Sequence, residues 1–149
     1  MVALRVGKRS IPIAWRTYKA RGSLGWREQS EVLEVARSFL PEGCKPILMG
    51  DRFYGNVDII SWCQLHGWDY CLRLKGSMYL TASPEDPTTP DRKLNALWAA
   101  GHSQFEGGYL THRRIQTNVQ MLQDKGAEEP WFIAMSAKPS RATARTYTR

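Results

Sequence analysis

The sequence has few features of a secreted protein, of a protein stabilised by a structural metal ion, or of a membrane protein. Its three cysteines are an odd number without C-x-x-C spacing, and its three histidines are scattered along the chain. This argues against a disulfide framework and against a structural zinc site. No apolar run reaches the roughly 18 residues of a membrane-spanning helix, and residues 1–5 lack the layout of a signal peptide. These absences predict a cytoplasmic protein that does not enter a membrane.

The composition instead suits a basic globular protein. Lys and Arg number 21 against 14 Asp and Glu, which gives a net charge of +7, and there are six Trp and six Tyr. A chain of 149 residues can form one domain that buries roughly 70% of its unfolded surface. Positive charge attracts nucleic acid through release of condensed counterions. Nucleic acid is therefore the expected partner, and an anionic membrane surface is the weaker alternative.

The most informative stretch is residues 46–55, Pro-Ile-Leu-Met-Gly-Asp-Arg-Phe-Tyr-Gly, where a short apolar run stops at Asp51. The run is too short for a helix and predicts a strand buried on both faces, with Asp51 at its carboxyl end. In open α/β sheets this is the edge where ligands and chemistry collect. The alternative is that Asp51 only caps the following turn. The local pattern leaves both interpretations open.

The residues around this stretch predict alternating strands and helices. Apolar side chains form one helical stripe before Pro41, and aromatic and apolar residues alternate near position 70. The predicted elements are, in order, strands at 2–6 and 11–18, a helix at 26–40, the Asp51 strand, a helix capped by Asn56 and ended by Gly67, and a strand at 68–75. This order describes an α/β sheet with an antiparallel opening and parallel later strands.

The second half of the chain changes character at Gly76. Residues 76–129 are expected to be a β-rich insertion, with a proline-rich surface excursion at 82–93 and exposed antiparallel strands at 103–110 and 114–122. Residues 130–136 then return to the pattern of a buried strand. A final helix is expected to begin at Pro139 or Ser140.

The order of these motifs resembles the catalytic core of DDE-type insertion-sequence transposases, of the subclass with a Tyr-x2-Arg-x3-Glu-x6-Lys helix. The resemblance rests on Ile-Pro-Ile-Ala-Trp-Arg (11–16), Ile-Leu-Met-Gly-Asp-Arg-Phe-Tyr-Gly (47–55), Gly-Trp-Asp-Tyr-Cys-Leu-Arg-Leu-Lys (67–75) and Pro-Trp-Phe-Ile-Ala (130–134). It implies a ribonuclease H-like fold, a mixed sheet with flanking helices and a β-rich insertion. It also implies that Asp51 is the second catalytic aspartate and a ligand of Mg²⁺ or Mn²⁺.

The implied activity is cleavage and strand transfer of double-stranded DNA at the ends of an insertion sequence. The implied setting is the nucleoid, with a homodimer or higher assembly on DNA. Two divalent cations about 4 Å apart need several carboxylates, because Mg²⁺ prefers oxygen ligands and gives up water reluctantly.

The sequence departs from the family at both ends. No aspartate precedes Asp51, and the last glutamate is Glu129. Tyr147 fits the start of the Tyr-x2-Arg motif, but the matching Arg would fall one residue beyond Arg149. The resemblance therefore implies a partial catalytic domain over residues 1–149, incomplete at both ends, which holds one of three metal-binding carboxylates and is inactive alone.

Several basic residues are candidates for DNA contacts. Lys138, Arg141, Arg145 and Arg149 recur every three or four positions, so one helix would carry them in a stripe together with Tyr147. A solvated helix face has the same pattern. Arg52 can reach a phosphate or pair with a nearby acid. The competing functional hypothesis is a non-enzymatic, basic nucleic-acid-binding module, and a ribonuclease H-like nuclease from outside transposition is a third.

Overall fold

The computed structural model describes residues 1–19, 22, 24–82 and 91–148, with side chains as far as Arg145. These residues form two compact units, Met1–Cys44 and Lys45–Arg149. Most of the proline-rich excursion predicted at 82–93 lies outside the described residues. Within the described ranges, no helix is long and apolar enough to cross a membrane.

The first unit is a β-hairpin packed on one helix. Strands β1 (Val2–Val6) and β2 (Arg9–Ala14) pair antiparallel, and helix α1 (Trp26–Ser38) buries Val32 and Ala36 beside Ala14. The strand predicted at 2–6 and the helix that starts at residue 26 are confirmed. The second strand lies at Arg9–Ala14 and not at 11–18. Among the described strands this hairpin is a two-stranded sheet of its own, so the prediction that it opens the larger sheet is wrong. The apolar stripe of α1 is narrower than expected, because Val35 and Phe39 are exposed.

The second unit is built on a seven-stranded sheet with the order β3-β4-β9-β8-β7-β5-β6. Its strands are β3 (Ile47–Gly55), β4 (Asp69–Leu74), β5 (Tyr79–Thr81), β6 (Arg92–Lys93), β7 (Gln104–Leu110), β8 (Ile115–Leu122) and β9 (Trp131–Met135); its helices are α2 (Val57–His66), α3 (Leu94–Ala99) and α4 (Arg141–Thr148). Among these described strands β3 and β4 run parallel, and every other pair is antiparallel. The protein is therefore mixed α/β with a mostly antiparallel sheet. The predicted parallel run is limited to β3 and β4.

Residues 76–129 contribute strands to this same sheet. The two predicted antiparallel strands are confirmed as β7 and β8, and β8 pairs with β9. The expectation that both are exposed is wrong, since Val119, Gln120 and Met121 of β8 are buried. The buried Gln120 amide nitrogen donates to the Ser103 and Met121 carbonyls at 2.9 and 3.0 Å. A buried glutamine whose amide is hydrogen-bonded to backbone carbonyls cannot be distinguished in the sequence from a glutamine that faces solvent.

Helix α2 follows β3 directly and forms as its local signals predict. The Asn56 side chain accepts a hydrogen bond from the Ile59 N–H at 3.0 Å, and Gly67 ends the helix in a left-handed conformation with φ +66°. The residues expected to face the sheet, Ile59, Ile60 and Cys63, are buried. The helix thereby fixes the end of β3 next to the candidate site.

The three thiols should differ in reactivity. Cys63 and Cys71 are buried and Cys44 is exposed, and burial raises the pKa of the Cys63 and Cys71 thiols to about 12. Because the thiolate is the reactive form, we expect an aromatic disulfide reagent at pH 8 to modify Cys44 quickly and the other two only on unfolding. A Cys44→Ser variant should show no fast phase; a fast phase that persisted would mean that a second thiol is accessible in the native protein.

Candidate functional site

The Asp51 stretch forms an outward bulge on β3. Pairing with β4 runs from Ile47 to Gly50 opposite Leu72 and resumes at Gly55 opposite Leu74. The four residues 51–54 therefore stand opposite the single residue Arg73. A bulge of this kind stops the ladder and redirects side chains away from the sheet.

Two glycines permit the bulge. A Cβ atom on Gly55 would lie 1.7 Å from the Arg73 carbonyl oxygen, and a Cβ atom on Gly50 would lie 2.9 Å from Cβ of Tyr54 and 3.1 Å from Cδ2 of Leu72. Neither position leaves room for a side chain. The glycines on each side of the bulge thus let β3 lie close to β4 immediately before and after the unpaired residues.

Asp51 is the first residue of the bulge and is exposed. One carboxylate oxygen, Oδ1, accepts a hydrogen bond from the Phe53 N–H at 2.9 Å, which is the turn-capping role left open by the sequence. The prediction that the strand ends at Asp51 is wrong, because β3 continues to Gly55. The prediction of burial on both faces is also wrong, because Ile47 is exposed and Leu48 and Met49 are only half-buried. Among the described strands β3 is an edge strand that pairs only with β4, not one in the middle of the sheet.

Arg52 belongs to a cluster that also contains residues far away in the sequence. Nη1 of Arg52 donates to Oε1 of Glu129 at 3.1 Å, and Nη2 of Arg73 donates to the same oxygen at 2.6 Å. The Arg73 guanidinium lies over the Trp131 ring, with Cζ 4.2 Å from the ring centroid. We call Arg52 and Arg73, which converge on one carboxylate oxygen, the arginine clamp.

The carboxylates near the bulge do not by themselves form a Mg²⁺ or Mn²⁺ site. Within the described ranges, no group of three His, Cys, Asp or Glu side chains could hold a metal ion. Oδ1 of Asp51 already accepts the Phe53 N–H, and Glu129 is held by two guanidinium groups. A hard divalent cation needs several converging oxygens. The donor set that the resemblance implies is therefore not assembled by the described residues.

The remaining candidate DNA-binding residues do not form one stripe. The final helix is confirmed as α4, which begins at Arg141, just after the predicted start at Pro139 or Ser140. The Ser140 side chain accepts the Thr143 N–H at 3.4 Å. Lys138 precedes the helix, and its prediction as part of the stripe is wrong, because a residue before proline disfavours helical backbone angles. Its ammonium lies 3.4 Å from Glu106.

Arg141 and Arg145 do share a face of α4 and are both exposed. Arg145 donates from Nε and Nη2 to Oδ1 of Asp124 at 3.0 and 2.7 Å. Such exposed pairs stabilise a protein little, about 0–1 kcal/mol each, and open readily to other anions. The side chain of Tyr147 and all of Arg149 lie outside the described residues.

A second polar site lies at the opposite end of β4. A cavity of about 580 Å³ is bordered by β4, β8 and the end of α2. There the Tyr70 and Thr117 hydroxyl oxygens are 2.8 Å apart, and the Gln64 amide donates to Tyr70 at 3.3 Å. Burial raises the pKa of Tyr70, which keeps its hydroxyl protonated. These hydrogen bonds tie α2 to the sheet.

The roles of Arg73, Glu129 and Trp131 were not predicted from the sequence. Glu129 lies 77 residues from Arg52 and 56 from Arg73, so no local pattern connects them. The alternation of Arg73 with apolar neighbours predicted a strand and nothing more. No protein-family profile, curated protein or solved structure matches this chain.

Proposed function

We propose that this protein belongs to the catalytic core of a DDE-type DNA transposase with a ribonuclease H-like fold, in which Asp51 is one ligand of a Mg²⁺ or Mn²⁺ site. The observation that carries the proposal is the placement of Asp51. Asp51 lies on the bulge between Gly50 and Gly55 and is exposed. This bulge interrupts the pairing of β3 with β4, which is the single parallel pair among the described strands. Although β3 continues to Gly55, its continuous parallel pairing with β4 ends at Gly50, so Asp51 follows the carboxyl end of that ladder, where α/β sheets place ligands.

Charge and motif order support the same proposal. The net charge of +7 suits a phosphate polymer, and the family resemblance rests on four motifs in order. The partner is then duplex DNA at element ends and target, bound by a homodimer or higher assembly in the nucleoid. Since the described carboxylates do not complete a metal site, we expect these residues alone neither to cleave nor to join DNA.

The non-enzymatic module is the second candidate, and one observation favours it. The Asp51 carboxylate has a sufficient structural role as acceptor of the Phe53 N–H, so the acid is explained without a metal. In that case the basic surface alone would bind nucleic acid, without base-specific contacts.

Substitution of Asp51 separates these two candidates. We expect weak, sequence-independent binding of duplex DNA that falls steeply with salt. In the wild type Mg²⁺ should strengthen this binding, because a carboxylate together with phosphate oxygens of the DNA would hold the ion. Asp51→Asn keeps an oxygen for the Phe53 N–H but loses the charge, so it should retain stability and lose the Mg²⁺ response. Asp51→Ala should lose both that response and about 1 kcal/mol of stability. Fluorescence anisotropy with labelled duplexes, with and without Mg²⁺, measures the response.

Glu128→Gln is the matched control, because it removes one exposed acid outside the bulge. If Asp51→Asn responds to Mg²⁺ as Glu128→Gln does, Asp51 is only a cap and the module is correct. Tight binding at high salt, or a strong preference for one sequence, would contradict the phosphate-contact argument. Nicking of supercoiled plasmid by this chain with Mg²⁺, abolished in Asp51→Ala, would show that the metal site is already complete.

A further inference from the structure

The arginine clamp has the form of an anion site that is occupied by a side chain of the protein itself. Two guanidinium groups donate to the single oxygen Oε1 of Glu129, at 3.1 Å from Arg52 and 2.6 Å from Arg73. Guanidinium forks bind carboxylate and phosphate oxygens with the same planar geometry. Any anion that displaced Glu129 would meet two donors already directed at one point.

Arg73 is the fixed half of the clamp. Arg73 lies on β4 between Leu72 and Leu74. Its side chain is 20% exposed, and its guanidinium stacks on the Trp131 ring. Stacking of this kind holds the guanidinium in one orientation and adds a favourable cation–π interaction. Little conformational freedom is left for a ligand to restrict when it binds.

Glu129 is the replaceable occupant of the clamp. Its side chain is 57% exposed, and residues 123–130 between β8 and β9 form turns and irregular chain. An exposed pair on such a segment is opened at small cost. Arg52, on the bulge beside it, is 51% exposed and accessible to the same incoming anion.

We propose that the arginine clamp binds a phosphodiester group of the DNA backbone, and that Glu129 occupies this site until DNA displaces it. The proposal rests on the DNA-binding part of the proposed function and adds the site and its internal competitor. The bulge favours DNA over a small phosphate, because it also exposes the aromatic rings of Phe53 and Tyr54. Exposed aromatic side chains beside basic ones are the combination that contacts nucleotide chains where bases are unpaired, as at a strand end.

The test is a double-mutant cycle read by anisotropy with a labelled DNA duplex at low salt. Glu129→Gln should tighten binding about fivefold, since DNA no longer has to displace a carboxylate from the two guanidinium groups. Glu128→Gln removes the same charge from the same segment and should change binding less than about twofold. In the Arg73→Gln and Arg52→Gln backgrounds, the gain from Glu129→Gln should disappear. Arg52 lies on the exposed bulge, so its variant guards against a folding defect in Arg73→Gln.

Equal gains from Glu129→Gln and Glu128→Gln, with DNA binding retained, would overturn the clamp and leave the proposed function standing. So would a gain from Glu129→Gln that survives in both arginine backgrounds. If inorganic phosphate removes the gain far below the ionic strength at which NaCl does, the clamp binds small phosphates and the assignment to DNA is overturned. Absence of DNA binding by the wild type and by every variant would overturn both proposals.

Discussion

Gly55→Ala should lower the free energy of unfolding of the second unit by at least about 3 kcal/mol. The added methyl group would lie 1.7 Å from the Arg73 carbonyl oxygen and 2.6 Å from its carbon. Both atoms belong to the backbone of β4, which is also paired with β9, so no side-chain rotation relieves the clash. Either β3 separates from β4 or the bulge loses its shape.

Urea denaturation followed by tryptophan fluorescence measures this loss. Gly126→Ala is the matched control: Gly126 has φ +88°, and among the described residues no atom comes within 4 Å of the place its added methyl group would take, so only backbone strain of about 1 kcal/mol is expected. Equal losses for the two variants would mean that the close approach of Gly55 to β4 is absent in solution. The Gly55 variant should also weaken the effect of Glu129→Gln on DNA binding, since Arg52 would move with the bulge.

Leu72→Ala should be the next most damaging change, with a loss of about 3 kcal/mol. Leu72 is fully buried and pairs with Gly50 on one side and Ala134 on the other. Its neighbours in the ladder are small, so the vacated volume has no large adjacent side chain on these strands to fill it. A cavity in the middle of the sheet then adds to the lost apolar burial.

The matched control is Leu65→Ala on α2, because Leu65 is 79% exposed. It should change the free energy of unfolding by no more than about 0.5 kcal/mol. Thermal and urea unfolding of both variants provide the comparison. If Leu72→Ala is as mild as Leu65→Ala, the packing of β4 between β3 and β9 is not as described.

Sequence reasoning succeeded where the signals lie within one element. Asn56 and Gly67 bracket α2 within a dozen residues, and each acts on its own backbone neighbours, so the helix was predicted with its caps. The β7 and β8 strands were recognised in the same way from local polar and apolar alternation. The mixed α/β class followed from the order of such elements.

The predictions from sequence were wrong or incomplete where burial or a side-chain contact depends on residues that are distant in the sequence. The exposure of Ile47 depends on which elements cover the faces of the sheet at β3, and the residues of β3 do not specify that. Gln120 looks like a solvent-facing residue and is buried, because its amide reaches the Ser103 carbonyl. Glu129 meets Arg52 across 77 positions. Lys138 is a different case, since Pro139 beside it was a visible reason to exclude it from the helix.

The position of β9 has a consequence for the time at which the sheet can be completed. Strand β9 is hydrogen-bonded to β4 on one side and β8 on the other, yet among the described strands of the sheet it is the last to leave the ribosome. A nascent chain that ends before Trp131 has β4 and β8 each with an open edge, which are sites for pairing with other chains. The surroundings of the arginine clamp are completed at the same time, because Trp131 is the first residue of β9 and Glu129 lies just before it. Completion of the sheet and assembly of the anion site are thus one late event in synthesis.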